Sequence, residues 1–224
     1  MCGRYALSAD AQDIALQFDV KGKPDAFLPA DWNISPTKNI YFVNASDQDG
    51  KARQLEIASW GLVPSWSKDA SRASNTINAR VESVAEKPSF RSAFKARRCL
   101  VPADGYYEWA TELGNFKLKQ PFYISNEDNS LLSMAGLYED WANPQTGEVL
   151  TTVSIITRES VGEIAKAVTL IPTGPELATG VGEVCDPEGF DSPPPPPPPH
   201  ADTNVARHTE MLSLVKLSIE IAVS

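Results

Sequence analysis

The stretch LVPADGYYEW, residues 100–109, combines residues that favour β-strands with one turn-forming pair, Asp104-Gly105. Other short segments that are bounded by proline, glycine or asparagine have the same character and are predicted as strands. The turn-forming residues 126–129 are expected to join two of these segments in a hairpin. The chain is therefore predicted to have an α+β fold that is mainly β. The predicted strands outside 100–109 are 40–43, 55–62, 76–82, 121–125, 131–138 and 149–157.

Two further segments are predicted as helices. Ser8 is expected to cap the first, over residues 9–18, where apolar side chains recur at helical spacing. The second covers 88–97 and begins with a proline, a residue that suits the first position of a helix. Phe90 and Phe94 lie four residues apart on it and are expected to face the core.

Basic residues lie beside the apolar face of this second helix. Arg91, Lys95 and Arg98 are spaced at i, i+4 and i+7 and predict a basic stripe. Residues 80–98 contain six lysines or arginines against two glutamates, whereas the whole chain carries a net charge of −9. That net charge argues against a protein that coats nucleic acid non-specifically, so any nucleic-acid site must be a local basic patch.

Length and composition limit the class of protein. A chain of 224 residues suits one domain with a tail, and it has no run of about 18 apolar residues that could span a membrane. The N-terminus lacks the apolar core of a signal peptide, so we expect a protein that is not secreted. Its expected location is cytoplasmic and nucleoid-associated in a bacterium, or nuclear in a eukaryote, and we expect a monomer.

The cysteines do not predict a metal site. There are three, widely separated, and only two histidines accompany them, which argues against both a zinc site and a disulfide framework. We therefore expect free thiols in a reducing compartment. The sequence predicts no metal ion and no cofactor.

The character of the sequence changes near residue 169. Residues 1–168 are predicted to form one compact domain. The following stretch is rich in glycine, proline and threonine, and 193–199 is an uninterrupted run of seven prolines, which predicts an extended polyproline segment. We expect residues 169–224 to be a divergent, linker-like tail with a short apolar end.

Cys2 is the first candidate reactive residue. Removal of Met1, which is expected before a small residue, would leave a cysteine whose free α-amine and thiol are on adjacent carbons. Such an aminothiol traps aldehydes, because the amine forms an imine and the thiol then closes a five-membered thiazolidine ring. The alternative, a small residue buried in an N-terminal strand, stays open on this residue alone.

Alternation along 78–82 predicts a polar strand face. Asn78, Arg80 and Glu82 would point to one side, with the intervening apolar residues on the other. Arg80 suits a phosphate, and Asn78 could hydrogen-bond a sugar or a reacting oxygen. The alternative is an exposed strand face with an Arg–Glu surface pair.

Glu108 is a single carboxylate among three aromatic residues. Such surroundings would raise its pKa toward neutrality by desolvation and suit it to general acid–base work. It could equally be a solvent-side residue of an alternating strand. Of the two tryptophans in 60–66, Trp60 is predicted to pack in the core, and Trp66 is the better candidate to stack on an unpaired base.

Eight short motifs, in order along residues 1–168, resemble the SOS response-associated peptidase (SRAP) family, whose members sense and shield abasic sites. Each motif is weak alone, but their order and spacing are specific. They are MCGRY (1–5), WNISP (32–36), WGLVPSW (60–66), INARVE (77–82), RCLVP (98–102), GYYEW (105–109), PFYI (121–124) and AGLY (135–138).

This resemblance implies a compact, mainly β fold with a basic groove for single-stranded DNA. It implies that Cys2 is the nucleophile that forms a thiazolidine with an abasic site, that Asn78 positions the sugar, and that Glu108 assists proton transfer. The residues expected to contact DNA are Arg4, Pro36, Trp66, Arg80, Arg91, Lys95, Arg98, Trp109 and Thr157. The family name also leaves room for a peptidase action limited to removal of Met1.

The sequence departs from the family after the Ile-Ile-Thr segment 155–157. Family members carry a His-x-Arg-Met-Pro motif there, whereas this chain has Ala-Val-Thr-Leu-Ile-Pro at 167–172, and its histidines are His200 and His208. The family's last core strands are also not recognisable in 170–224. A non-catalytic DNA-binding relic is therefore an alternative, and a glutamine amidotransferase with an N-terminal cysteine is another.

Overall fold

The computed structural model describes residues 3–21, 27–45, 52–110, 120–126 and 128–158. Strands dominate it, which confirms the prediction of an α+β, mainly β fold. Neither α-helix in this part of the chain has the length and apolarity to cross a membrane. The elements are β1 Arg4–Leu7, α1 Ala11–Gln17, β2 Asp31–Ile34, β3 Asn39–Ala45, β4 Arg53–Trp60, a 3-10 turn Ala73–Thr76, β5 Asn78–Arg80, α2 Arg91–Ala96, β6 Arg98–Ala103, β7 Gly105–Ala110, β8 Gln120–Ser125, β9 Leu132–Ala142 and β10 Val149–Thr157.

The strands form a barrel and a separate sheet. The larger sheet has the order β4-β3-β6-β9-β10-β5, and β10 also pairs with β4, so that β4, β3, β6, β9 and β10 close a five-stranded barrel. The smaller sheet has the order β2-β1-β7-β8. No backbone ladder joins β1 to β5 among the described strands, because the two belong to different sheets.

One strand, β10, has two parallel neighbours in succession. Its middle pairs with β4 through Thr152 and Val153, and its end pairs with β5 through residues 155–157. The exchange takes place at Gly61, which follows β4, has a φ of +138° and would bring a Cβ atom within 2.8 Å of the Ala73 carbonyl carbon. A glycine is needed there because the backbone is left-handed and another segment passes directly over it.

Two apolar cores result. The barrel interior is filled by the largest buried side chains, including Trp60, Tyr5 and Phe42. A second core lies outside the barrel, where α2 covers Ala79 of β5 and Leu137 of β9. Each fully buried large side chain contributes roughly 1.5–3 kcal/mol relative to exposure, so these cores hold β1, β5 and β10 in place.

The two helices are shorter than predicted. The cap of α1 is Asp10, whose carboxylate accepts from the N–H groups of residues 12 and 13, and not Ser8. The backbone N–H of Ser8 donates to Asp104 at 2.6 Å, so it belongs to the strand connection. Helix α2 begins at Arg91; Phe90 precedes it but is buried as predicted.

The predicted hairpin across 126–129 is wrong. Strand β8 pairs with β7, whereas β9 pairs with β6 and β10, so these residues connect two different sheets. Local turn chemistry does not distinguish a hairpin from a tight crossing between sheets, since the pairing partners are distant in sequence. The predicted strand 76–82 also shrinks to residues 78–80, because Thr76 closes a 3-10 turn. Residues 159–224, which include the end of the predicted domain and the whole predicted tail 169–224, lie outside the described residues.

Candidate functional site

The N-terminal strand lies beside Glu108. Cys2 lies outside the described residues, and the description begins at Gly3, the residue bonded to it. Strand β1 pairs antiparallel with β7, with Arg4 opposite Tyr107 and Tyr5 opposite Tyr106. Glu108 follows on β7, so it sits at the end of the sheet where the chain begins.

Alternation decides which face Glu108 occupies. Tyr5 is fully buried in the barrel core, and Tyr106, opposite it, packs against the same core. Glu108 lies two residues after Tyr106 on the same strand and therefore faces the barrel side of the small sheet. Its side chain is half-buried.

The candidate site has two walls. The first is the barrel side of the small sheet, which carries Glu108, and the second is formed by β5 and the end of β10, which carry Asn78, Arg80 and Thr157. On β5 and β10 the paired residues Ala79 and Ile156 face the outer core beneath α2. The neighbouring side chains must point to the opposite face, which continues the face of β10 that lines the barrel. Asn78 is half-buried and Arg80 is exposed, so the alternation predicted for these two residues is confirmed.

The Thr157 hydroxyl is an unusual feature of this wall. Its oxygen is buried and has no hydrogen-bond partner in the part of the chain that the structure describes. Leaving such a group unpaired costs roughly 1–3 kcal/mol. A hydroxyl in this position is suited to bind a polar group supplied from outside.

Trp60 connects the two walls. Its ring lies edge-on to that of Tyr5, with centroids 5.4 Å apart, and its indole N–H donates to the Ile77 carbonyl at 3.0 Å. Ile77 is bonded directly to Asn78. Sequence reasoning correctly placed Trp60 in the core but missed this link, because periodicity carries no information on which carbonyl an indole will reach.

Arg4 and Trp109 lie on the outer face of the small sheet. Arg4 shares the face of Tyr107, opposite to that of Glu108, and its guanidinium donates to the Asn33 side chain at 3.0 Å. Trp109 is on the same outer face and is 37% exposed. The structure therefore separates these two candidates from Asn78 and Glu108.

Pro36 lies in the loop between β2 and β3, and Trp66 lies in the loop that follows β4. Pro36 is half-exposed, and the N–H of the next residue, Thr37, donates to the Trp60 carbonyl at 2.8 Å. Trp66 is 65% exposed, the accessibility that base stacking requires. Its loop is held where the Trp141 indole N–H donates to the carbonyl of Ser67 at 2.8 Å.

The predicted basic stripe does not form as one surface. Arg91 and Lys95 are exposed on α2, but Arg98 begins β6 and donates to the Phe94 carbonyl at 3.2 Å. Arg97 is ion-paired with the buried Glu139 at 2.7 Å. Helix α2 covers the face of β5 opposite to Asn78, so its cations lie on the outer side of the barrel.

Burial controls the titratable groups near these strands. It raises the pKa of the Cys99 thiol far above its ordinary value, so this thiol stays protonated and is a poor nucleophile. Burial also raises the pKa values of Tyr107 and Tyr123. The Tyr107 hydroxyl donates to the Trp32 carbonyl at 2.9 Å. Among the described residues, no group of three or more His, Cys, Asp or Glu could hold a metal ion.

Comparisons with known proteins cover the same part of the chain. A family model described as SOS response associated peptidase (SRAP) matches residues 1–169. The chain is 40% identical over 162 residues to abasic site processing protein YoqW of Bacillus subtilis, which is 70% of this chain and 68% of that protein. It is 36% identical over 172 residues to abasic site processing protein HMCES of Pongo abelii, covering 61% of this chain and 48% of that protein.

A solved structure has the same fold. A crystal structure of a protein from Bacteroides thetaiotaomicron matches with a TM-score of 0.64 and 30% identity, covering 74% of this chain and 71% of that chain. Another, from Bordetella bronchiseptica, matches with a TM-score of 0.59 at 24% identity, which is a likeness of fold alone. The family match ends at residue 169, before the run of prolines.

Proposed function

Because the chain belongs to the SOS response associated peptidase (SRAP) family, we propose that it processes abasic sites in single-stranded DNA by forming a covalent cross-link through Cys2. Relatives named abasic site processing proteins support the DNA-processing role. The observation that carries the proposal is the position of Glu108 and Asn78. Both belong to faces turned toward the barrel core: Glu108 lies on β7, beside the strand that Cys2 precedes, and Asn78 follows Ile77, whose carbonyl is linked to that strand through Trp60 and Tyr5.

The proposed reaction begins with an α-amine freed by removal of Met1. This amine attacks the aldehyde of the ring-opened sugar and loses water to form an imine. The thiol of Cys2 then adds to the imine carbon, and its proton moves to the nitrogen, which closes the thiazolidine. The whole sequence joins protein and DNA with loss of one water, and it needs no oxidant or cofactor.

Asn78 and Glu108 are proposed to serve this reaction from opposite walls. The Asn78 amide can both donate to and accept from sugar hydroxyls, which suits it to position the opened sugar. Glu108 is proposed to transfer the protons that imine formation and ring closure require, as a half-buried carboxylate beside the chain start. We also propose that Thr157, with its buried hydroxyl, contacts the same substrate.

The proposed DNA path begins at the end of β5 and extends over the neighbouring loops. Arg80 is exposed at the end of β5 and would hold a phosphate next to the reacting sugar. Trp66 would stack on a base, and Pro36 would border the same path. More distant parts of the strand would meet Arg4 and Trp109 on the outer face of the small sheet, or Arg91, Lys95 and Arg98 outside the barrel.

A denaturing gel tests the proposal. The protein lacking Met1 is mixed with single-stranded DNA that carries one abasic site, and we expect a heat-stable adduct. Cys2→Ala should abolish it, whereas the matched control Cys99→Ala should retain it, because the Cys99 thiol is buried. An undiminished adduct in Cys2→Ala would remove Cys2 from the chemistry.

A second candidate function is DNA binding without cross-linking. It is favoured by one sequence observation, the absence of any histidine from residues 1–169, since both histidines lie in the tail. Reversible binding to single-stranded DNA by the protein lacking Met1, with no adduct on abasic DNA, would select this candidate. If cross-linking does occur, we expect release to be slow, because residues 1–169 contain no histidine to assist opening of the ring.

Removal of Met1 is the proposed extent of any peptidase action. The reaction frees the aminothiol, so the unprocessed protein should not cross-link. A DNA-directed role would place the protein at the bacterial nucleoid or in a eukaryotic nucleus.

A further inference from the structure

Trp60 joins two strands that no backbone ladder connects. Strand β1 belongs to the small sheet and β5 to the larger one, so side-chain packing sets the distance between them. The Trp60 side chain is fully buried and contacts both, through the Tyr5 ring and the Ile77 carbonyl. These contacts lie close in sequence to the two proposed reaction partners, Cys2 and Asn78.

The Ile77 carbonyl receives two donors. One is the Trp60 indole N–H at 3.0 Å, and the other is the backbone N–H of Ile155 in β10 at 2.9 Å. The bond from Ile155 fixes β5 to its neighbour within the sheet. The bond from Trp60 fixes the same peptide to a side chain that also contacts Tyr5 of β1. This second restraint therefore fixes the position of β5 relative to β1.

Trp60 is itself rigidly held. Its backbone N–H donates to the Lys38 carbonyl at 2.9 Å, and its carbonyl accepts from the backbone N–H of Thr37 at 2.8 Å. It also pairs with Val153 of β10 in the sheet. Gly61, directly after it, donates to the Val153 carbonyl at 2.8 Å. An indole anchored in this way can transmit a fixed geometry, because neither its backbone nor its ring has room to move.

From these contacts we infer that Trp60 is a positioning residue for the cross-linking reaction, which sets the distance between the β1 terminus and Asn78 through its indole N–H and its contact with Tyr5. This inference rests on the proposed function. The residue touches neither DNA nor the reacting atoms. Its effect should therefore appear in the rate of adduct formation and not in the affinity for DNA.

Trp60→Phe removes the N–H donor and keeps an aromatic ring in the core. We measure the single-turnover rate constant of adduct formation at saturating abasic DNA, and separately the Kd for intact single-stranded DNA of the same sequence. The rate constant should fall by roughly 10-fold or more, since misplacement of a reacting group by ~1 Å costs on the order of 100-fold. The Kd should stay within about twofold, because no proposed DNA contact is removed.

Trp141→Phe is the matched control. Trp141 is also buried and also donates its indole N–H to a carbonyl, that of Ser67 at 2.8 Å, but it contacts neither β1 nor β5 in this way. It should keep the rate constant at saturating DNA, and a loss confined to its affinity for DNA would report on the Trp66 loop that Trp141 holds. The melting temperatures of both variants are measured first, and the rate constants are then measured at a temperature at which both variants are folded.

The outcomes separate the two proposals. A normal rate in Trp60→Phe, an equal loss in Trp141→Phe, or a loss of rate matched by a loss of affinity would each overturn the positioning role. If Trp60→Phe does not fold, Tyr5→Leu tests the other contact of the same indole, and a normal rate there overturns the inference. No adduct with the unsubstituted protein would instead overturn the proposed function.

Discussion

Gly61→Ala is expected to destabilise the domain severely, because residue 61 is where the chain leaves β4 and lets β5 take its place beside β10. The φ of +138° is essentially closed to alanine and costs roughly 1–3 kcal/mol. The added Cβ would also lie 2.8 Å from the Ala73 carbonyl carbon, so backbone must shift. Displacing a packed segment costs about 1–3 kcal/mol more, which gives a loss of roughly 4 kcal/mol.

Gly147→Ala is the control for the backbone contribution alone. Gly147 has a φ of +75°, but a Cβ there would meet nothing within 4 Å. Its cost should be only about 1–2 kcal/mol. In thermal unfolding followed by circular dichroism, a domain of this size loses about 2–4 °C per kcal/mol, so Gly61→Ala should melt roughly 10 °C or more below the unsubstituted protein. A melting temperature equal to that of Gly147→Ala would refute the close approach at Gly61.

Three further predictions concern charge. Arg80→Gln should weaken binding to intact single-stranded DNA and flatten its log–log salt slope by about 0.7, as expected for one lost phosphate contact; an unchanged slope in a salt titration would remove Arg80 from the interface. Arg97→Met should cost roughly 3–5 kcal/mol in urea unfolding, because it strands the buried Glu139 carboxylate, and adding Glu139→Leu should restore most of it; no recovery would contradict the pairing. Burial raises the pKa of Cys99 above its ordinary value of 9.0, so its contribution to stability is fully present below that pH. Above it the unfolded thiol ionises, and stability should fall with a slope that approaches about 1.4 kcal/mol per pH unit. Cys99→Ala should lack this part of the decline above about pH 9 in unfolding measurements.

Part of the fold follows from local sequence, because local physics determines it. The alternation of 78–80 places Asn78 and Arg80 on one face as expected, since a strand with one buried side cannot slip by one residue. The buried position of Trp60 and the exposed position of Trp66 also agree with expectation.

Other features depend on partners distant in sequence. The segment after 121–125 connects two sheets, because β8 pairs with β7 in the small sheet and β9 belongs to the larger one. The sequence of the segment itself does not indicate these pairing partners. Asp10, and not Ser8, caps the first helix, because the backbone N–H of Ser8 donates to the carboxylate of Asp104, about a hundred residues away. The basic stripe fails for a similar reason, because Arg98 leaves the helix to begin β6. Arg97, another cation of the basic stretch 80–98, is paired with a buried glutamate on β9.

The link through Trp60 had no signal of its own in the sequence. A tryptophan before Gly-Leu-Val-Pro predicts a buried side chain. The hydrogen bond from its indole to the Ile77 carbonyl forms only when the barrel closes. Glu108 and Asn78 lie on strands of different sheets, so their relative position likewise depends on how the two sheets pack, which the sequence pattern alone does not determine.

Intact-mass spectrometry can show whether Cys2 joins the protein to an abasic sugar. The protein is weighed before and after mixing with single-stranded DNA that carries one abasic site. We expect a starting mass lacking Met1 and a product equal to protein plus oligonucleotide minus one water, with none formed by Cys2→Ala or with intact DNA. A protein lacking Met1 that yields no adduct, or an adduct that survives in Cys2→Ala, would contradict it.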